Sequence, residues 1–391
     1  MTPPISRPLL FVAAALVAIG YIAKTVAEFS CHDMHDRSVD WFLIYKLPDI
    51  NAHKNALVRD GVAFLYQDAW SAGTWQLSTV GINESRHAVA FTLQQLYDAG
   101  KDTYKLLYND DHPGEKEDSY RGHSKGAQLF DATAGWWLIH SVPEFPPTSK
   151  YAYPSSGTRN GQSMLCVTFR TDETLGKIAD QLYLTQPSKY LQQLPTHMAA
   201  AYPRLKDVVV GNKSARRPPY SRQVALRSRA GREFISFAKH KKWKNDLYSE
   251  LVAPGLAQSI YTETWLNGPG DLPADCEMPV RTQDIHSLRL VDVPYTSSKD
   301  HSKWAITQKP QPAAYVCVGD INRQRSQFKR GGGTLCLNNE QVWNTYDRAV
   351  DQTAQCETLS NWRINGASGA TSPLALMLLV AVIATAASFV Q

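Results

Sequence analysis

The stretch RGHSKGAQLFDATAGWWLIHS (residues 121–141) decides the fold, because its pattern returns in DHSKWAITQKPQPAAYVCVGD (residues 300–320). The tripeptide His-Ser-Lys begins at His123 and again at His301, 178 residues later. A tripeptide alone repeats by chance. Here each copy runs on into GAQLF, DATAG and WWLIHS, or into WAIT, QKPQP and AAYVCVGD. Both read as strand, tight connection, strand. Each second strand ends in a small polar pair, with Ser141 18 residues beyond His123 and Asp320 19 beyond His301. That pattern is an internal duplication.

Residues i and i+2 of a strand share a face, so His123 and Lys125 project together, as do His301 and Lys303. A histidine can attack phosphorus or donate a proton, and a lysine neutralises phosphate oxygens. Two such pairs meeting across a pseudo-twofold axis make one site. The plainer reading is a pair of exposed strand ends with ordinary polar residues.

The chain of 391 residues is 43% hydrophobic and 20% charged, a globular composition with room for one large core or two medium ones. Its start, MTPPISRPLLFVAAALVAIGYIAKTVA (1–27), has Arg7, a short apolar run and a small-residue exit, the order of a secretory signal peptide. Its end (365–391) places small residues from Asn365 to Ala370 before an uncharged apolar tail, Leu374 to Val390. That order suggests a glycosylphosphatidylinositol attachment signal, and a retained membrane helix stays open.

All six cysteines, Cys31, Cys166, Cys276, Cys317, Cys336 and Cys356, lie between these ends. An even number in an oxidising compartment implies three disulfides, for which spacing alone leaves about 15 pairings. The sequons at Asn83 and Asn212 agree with that compartment. The net charge of +5 does not itself demand nucleic acid. Protonating all eleven histidines would carry it to about +16, so a polyanion would be drawn most strongly in acid.

Val39 to Pro48 and Met164 to Arg170 read as buried strands. Leu175, Ile178, Ala179 and Leu182 recur at helical spacing, and NNEQVWNTYDRAV reads as a helix capped near Asn338 or Asn339. Pro279 to Asp300 reads as a long irregular approach to the second motif. CHDMH (31–35) offers metal-ligand types, but Cys31 is expected in a disulfide, so no metal is assigned. RGGGTLC (330–336) reads as a disulfide-bound turn before it reads as a phosphate cradle. ARRPPYSRQVALRSRAGREF (215–234) and AKHKKWKN (238–245) are basic with interleaved aromatics, which would suit DNA or simply a solvated face.

With YRGHSKGAQLFDATAGWWLIHSVPEFPP, YVCVGDINRQRSQFKRGGGTLC, DWFLIYKLP and FAKHKKWKNDLYSE together, the chain resembles deoxyribonuclease II from about Cys31 to Cys356. The resemblance implies an α/β fold of two phospholipase-D-like halves, mixed sheets flanked by helices, joined as an intramolecular pseudo-dimer. The expected halves are residues 28–200 and 201–364 of a monomer. It implies a paired His-x-Lys site of His123, Lys125, His301 and Lys303, with Asn322 as a phosphate or histidine partner. In the first copy relatives often carry Asn at the position of Glu144, so no role is assigned to that glutamate. The implied disulfides are Cys31–Cys166, Cys276–Cys356 and Cys317–Cys336. The implied activity is acid hydrolysis of DNA to 3′-phosphate and 5′-hydroxyl ends through a phosphohistidine, without cofactor or metal. His123 is taken as the nucleophile and His301 as the acid. The implied role is disposal of engulfed, apoptotic or ingested DNA by a lysosomal or endosomal protein. The C-terminal tail departs from the family's soluble lysosomal members and raises the alternative of the outer cell surface. A lipid or other phosphodiesterase, and a catalytically dead DNA-binding surface protein, are the competing readings.

Overall fold

The computed structural model describes residues 28–356, except Pro269 and Met278. The expected signal peptide and C-terminal tail lie outside the described residues. Among those described, no helix is long and apolar enough to cross a membrane.

Two large mixed-length sheets carry the fold. The first has eight antiparallel strands in the order Lys189–Gln193, Tyr104–Tyr108, Gly126–Phe130, Ala134–His140, Gln162–Arg170, Trp41–Lys46, Phe64–Asp68 and Gln76–Leu77. The second runs Ser221–Arg227, Glu233–Lys239, Gly332–Asn338, Tyr315–Gly319, Trp304–Thr307, Ile260–Glu263, Thr282–Leu290 and Val293–Thr296, with Val350–Thr353 also paired to Thr282–Leu290. The strand after each His-Ser-Lys lies beside its own hairpin partner. Beyond that partner come the strands Gln162–Arg170 or Gly332–Asn338, each leading into a helix.

Side-chain alternation explains why both sheets are buried on two faces. In Trp41–Lys46 all six residues are buried. Trp41, Leu43 and Tyr45 enter the core shared by the two sheets, whereas Phe42 and Ile44 enter an outer core beneath the helix Ala88–Asp98. In the second sheet Trp304, Ile306, Val316, Val318, Leu335 and Leu337 face the shared core, while Ala305, Cys317 and Cys336 face the opposite side. The halves are interlocked by helices. Thr171–Thr185 buries Leu175, Ile178, Ala179 and Leu182, and its Gln181 side chain donates to Ser236 O of the second sheet at 3.0 Å. Reciprocally, Glu340–Asp347 brings Thr345 to accept from Gln67 of the first sheet at 2.9 Å. Asn339 caps that helix, accepting from the Val342 amide at 3.1 Å.

Three disulfides join Cys31 to Cys166, Cys276 to Cys356 and Cys317 to Cys336. The last pair sits directly across neighbouring strands, in register. Each closes a loop, an effect of about 2–4 kcal/mol apiece.

One expectation fails. Residues 282–296 are not an irregular approach but two strands joined by a tight reversal at Val291, whose φ is 55°. Ile285, Leu288 and Leu290 point inward, but a register shift between Ile285 and Leu288 breaks the strict alternation that would have announced a strand.

Candidate active site

Neither His-Ser-Lys lies within a strand. Each is the extended lead-in, the strands beginning at Gly126 and Trp304. What fixes each lead-in comes from the other half. The His123 amide donates to Gly331 O at 2.9 Å, and the His301 amide donates to Gly161 O at 2.9 Å. Each glycine stands just before the strand that follows the hairpin of its own half, so the exchange is reciprocal. Space demands glycine there: a Cβ on Gly161 would come within 2.5 Å of Asp300 Oδ1, and one on Gly331 within 2.1 Å of Thr185 O.

Lys125, Arg330 and His123 gather around one buried carboxylate. Asp110 follows the strand Tyr104–Tyr108 and is 1% exposed. Its carboxylate accepts from Lys125 Nζ and, at 3.0 Å, from Arg330 Nη2, and lies 3.6 Å from His123 Nε2. Arg330 also donates to Arg121 O at 2.6 Å and Asp118 O at 2.9 Å, tying the first motif's approach to the second half. Burial opposes ionisation of Asp110, but the positive charges of Lys125 and Arg330, joined by His123 whenever it is protonated, outweigh it and hold the carboxyl far below its ordinary range. Burial, then Lys125, pushes Lys303 well down.

Both imidazoles are pushed well below their usual range. For His123 the causes are burial, then Lys125, Lys303 and Arg330, with Asp110 opposing. For His301 they are burial, Lys303, Lys125 and His123. Each half's lysine thus lies within electrostatic reach of the other half's histidine, so the two motifs are brought near each other.

The two rings have different neighbours. His301 Nδ1 lies 3.0 Å from Ser141 O, and a carbonyl only accepts, so Nδ1 carries the proton and Nε2 is turned free. Gln162 Oε1 lies 3.3 Å from the same nitrogen, and the Trp265 ring packs edge-on at 5.2 Å. His123 Nδ1 is buried and has no hydrogen-bond partner. Asn322 is 6% exposed with its Oδ1 equally unpartnered, an acceptor left over at the end of the second motif's hairpin. Asp320, buried on the same turn, accepts from Gly333 N at 3.0 Å and is pushed up to about 7, chiefly by burial. Glu144 holds the left-handed region at φ 52°, which asparagine adopts more readily than glutamate.

Comparison with known proteins agrees with this architecture. The family model described as Deoxyribonuclease II matches residues 30–356. Cell-death-related nuclease 7 of Caenorhabditis elegans is 36% identical over 338 residues, covering 86% of this chain and 90% of its own. Plancitoxin-1 of Acanthaster planci is 36% identical over 359 residues, 90% of this chain and 99% of its own. Deoxyribonuclease-2-alpha of Sus scrofa is 34% identical over 362 residues, 90% and 95% respectively. The chain belongs to the deoxyribonuclease II family. It is accordingly a deoxyribonuclease II-like hydrolase with a phospholipase-D-like α/β fold.

Within this family fold, the sequence reading picked out both motifs, named Ser141 only as a strand end and Arg330 only within a turn, and missed Asp110, Gln162 and Trp265. A signal existed for two of them: Asn109-Asp110-Asp111 directly follows the apolar YKLLY, and Arg330 directly precedes three glycines. RGGG is not the disulfide-bound turn expected but the entry to the strand that carries Cys336. Gly331 receives His123, and the next strand starts at Gly332. Cys31 of CHDMH is spent in a disulfide, and among the described residues no group of three or more His, Cys, Asp or Glu is placed to hold a metal ion. Both sequon residues, Asn83 and Asn212, are exposed.

Proposed function

We propose that the chain hydrolyses DNA phosphodiester bonds at the site shared by the halves 28–200 and 201–364. The observation carrying this reading is the pair of His-Lys lead-ins, each held by the other half and each feeling the other's charge. One neutral imidazole, expected to be His123, attacks phosphorus. The new N–P bond forms as the P–O5′ bond breaks, and the other imidazolium delivers its proton to the departing 5′ oxygen. Water then attacks the phosphohistidine, the N–P bond breaks, and a 3′-phosphate is released. Lys125 and Arg330 supply fixed positive charge around the phosphoryl oxygens, Lys303 joins them when the bound anion draws a proton to it, and Asn322 is a further polar contact. The reaction needs no metal in this scheme, because these side chains do the charge stabilisation.

The pH dependence follows from the depressed imidazoles. Without substrate both rings are neutral through the neutral range. A bound phosphate anion raises their affinity for one proton, which mild acid then supplies. Activity should fall as pH rises, because the acid is lost, and fall again at low pH, when the nucleophile also takes a proton. The apparent values belong to the pair. Plasmid nicking between about pH 4 and pH 8 in excess chelator tests this. A mildly acidic maximum is expected, whereas a strict requirement for added Mg²⁺ would contradict the scheme.

The compartment that fits this chemistry is acidic, endosomal or lysosomal, where the protein would dispose of ingested or apoptotic DNA. A lipid anchor or helix in the tail beyond residue 364 would instead hold it on an outer membrane face. Digestion of expressing cells with a phosphatidylinositol-specific phospholipase should release active nuclease. Retention after both that enzyme and protease trimming near Asn365 would count against a surface anchor.

A further inference from the structure

The basic stretch 238–245 leaves the second sheet at the end where the first motif is held. Its strand Glu233–Lys239 pairs Lys239 with Gly332, next to the Gly331 whose carbonyl receives the His123 amide. Lys239 Nζ donates to Gln327 O and Arg330 O, each at 2.8 Å, so it is spent inside the protein. Lys241 is turned inward too, its Nζ buried 3.1 Å from the centroid of the Tyr120 ring. Lys242 and Lys244, the cations that follow, are exposed.

A second basic segment lies against them. Ser221 pairs with Lys239, and the His240 amide donates to Tyr220 O at 2.7 Å. Lys242 Nζ donates to Arg216 O at 3.3 Å, and the Tyr220 hydroxyl donates to the same oxygen at 3.1 Å. Tyr220 stacks on His240, whose proton affinity is pushed down to about 4, chiefly by burial and then by Lys242, Lys241 and Lys239. Arg216, Arg217, Lys242 and Lys244 therefore stand together, all exposed, on backbone that these bonds hold in place.

Their lack of counter-charge sets these four apart. Lys213 is matched by Asp207, Arg222 by Asp180 and Arg229 by Glu28, whereas among the described residues none of the four has a carboxylate partner. Unneutralised cations on a fixed backbone, at the end of the sheet that carries a phosphate-cleaving site, match the regular charge of a nucleic-acid backbone. We propose that phosphates of duplex DNA beyond the cleavage point lie along Arg216, Arg217, Lys242 and Lys244, a rim that holds substrate without taking part in the chemistry. The inference rests on the DNA-cleaving reading of the His-Lys site. Each cation that meets a phosphate releases a condensed counterion, so the rim contributes most at low salt.

The test follows the affinity for a labelled duplex oligonucleotide by fluorescence anisotropy between about 50 and 200 mM salt. The His301→Ala chain is used with chelator, so that nothing is cut. Arg216→Gln with Arg217→Gln, and separately Lys242→Gln with Lys244→Gln, should each flatten the slope of log Kd against log salt by about two. Each should also raise Kd about tenfold at the low-salt end. The control is Arg227→Gln with Arg232→Gln, at the far end of the same hairpin and roughly 20 Å away. It removes the same charge and should leave the slope unmoved. A slope that the control flattens as much, or that neither rim variant flattens, overturns the proposal. So does loss of binding to phosphatidylserine vesicles in rim variants whose DNA slope stands, which would make the rim a lipid contact. Plasmid nicking by the chain with both histidines intact separates the two ideas. Histidine-dependent nicking with an unmoved slope rejects the rim alone, while a flattened slope without nicking leaves the rim as a DNA contact and rejects the cleaving site.

Discussion

His123→Ala and His301→Ala will each lower the rate of plasmid nicking by about two or more orders of magnitude while DNA binding persists. The size of the effect follows from the division of labour. One ring supplies the nucleophile and the other the proton, and neither lysine can replace either. Lys125 Nζ is committed to Asp110, and Lys303 Nζ donates to His301 O at 2.5 Å. The backbone of each motif is held by its amide, not its ring, through Gly331 O and Gly161 O, so truncation of the ring leaves the lead-in in place. Binding survives because the lysines, Arg330 and the basic surface remain. The two losses will not multiply in the double variant, since either one already stops the same reaction. Nicking rates beside filter binding check this, and near-normal turnover in either single variant would contradict a shared site.

Asp110→Ala will cost about 3–5 kcal/mol of stability, the effect expected when one partner of a buried ion pair is deleted. Lys125 and Arg330, 2% and 7% exposed, would be left facing each other without their common carboxylate. Asp110→Asn keeps the shape and an acceptor oxygen but not the charge. It should fold better than the alanine variant and still lose turnover by about tenfold or more, because Lys125 is released. The pH sign is fixed by the geometry. Asp110 favours the protonated form of His123, so its removal lowers that ring's proton affinity further. The acid limb of the rate profile, where the nucleophile takes a proton, should move to lower pH. Denaturant unfolding and the pH profile of Asp110→Asn check the two halves of this statement. An unmoved limb with unmoved stability would mean that Asp110 is a bystander.

How far the sequence reveals this molecule depends on how local each signal is. The strands Trp41–Lys46 and Gln162–Arg170 and the helix Thr171–Thr185 are legible because apolar periodicity is written within each segment. The two motifs are legible because a duplication repeats them, and the disulfide pairing came with the family resemblance. The site contacts of Gln162, Ser141 and Trp265 were not legible. Each reaches a histidine from a loop or strand end of a different hairpin, and a single polar residue there looks like any turn residue until the sheet is assembled. Gly161 and Gly331 were hidden for the same reason. Their function is to let one half approach the other, which no window of sequence contains. The strands at 282–296 were missed because His286 and Ser287 fall between Ile285 and Leu288 where the register shifts.

The central claim is that a histidine attacks phosphorus within a site built by both halves. A DNA substrate labelled at one internal phosphate, mixed with enzyme in excess chelator and denatured in alkali within a single turnover, tests it most directly. Alkali preserves a phosphohistidine. The account predicts transient label on the protein, mapping to the peptide that holds His123 or His301 and absent when the attacking histidine is alanine. Nicking that proceeds at full rate with no label on either peptide would contradict it.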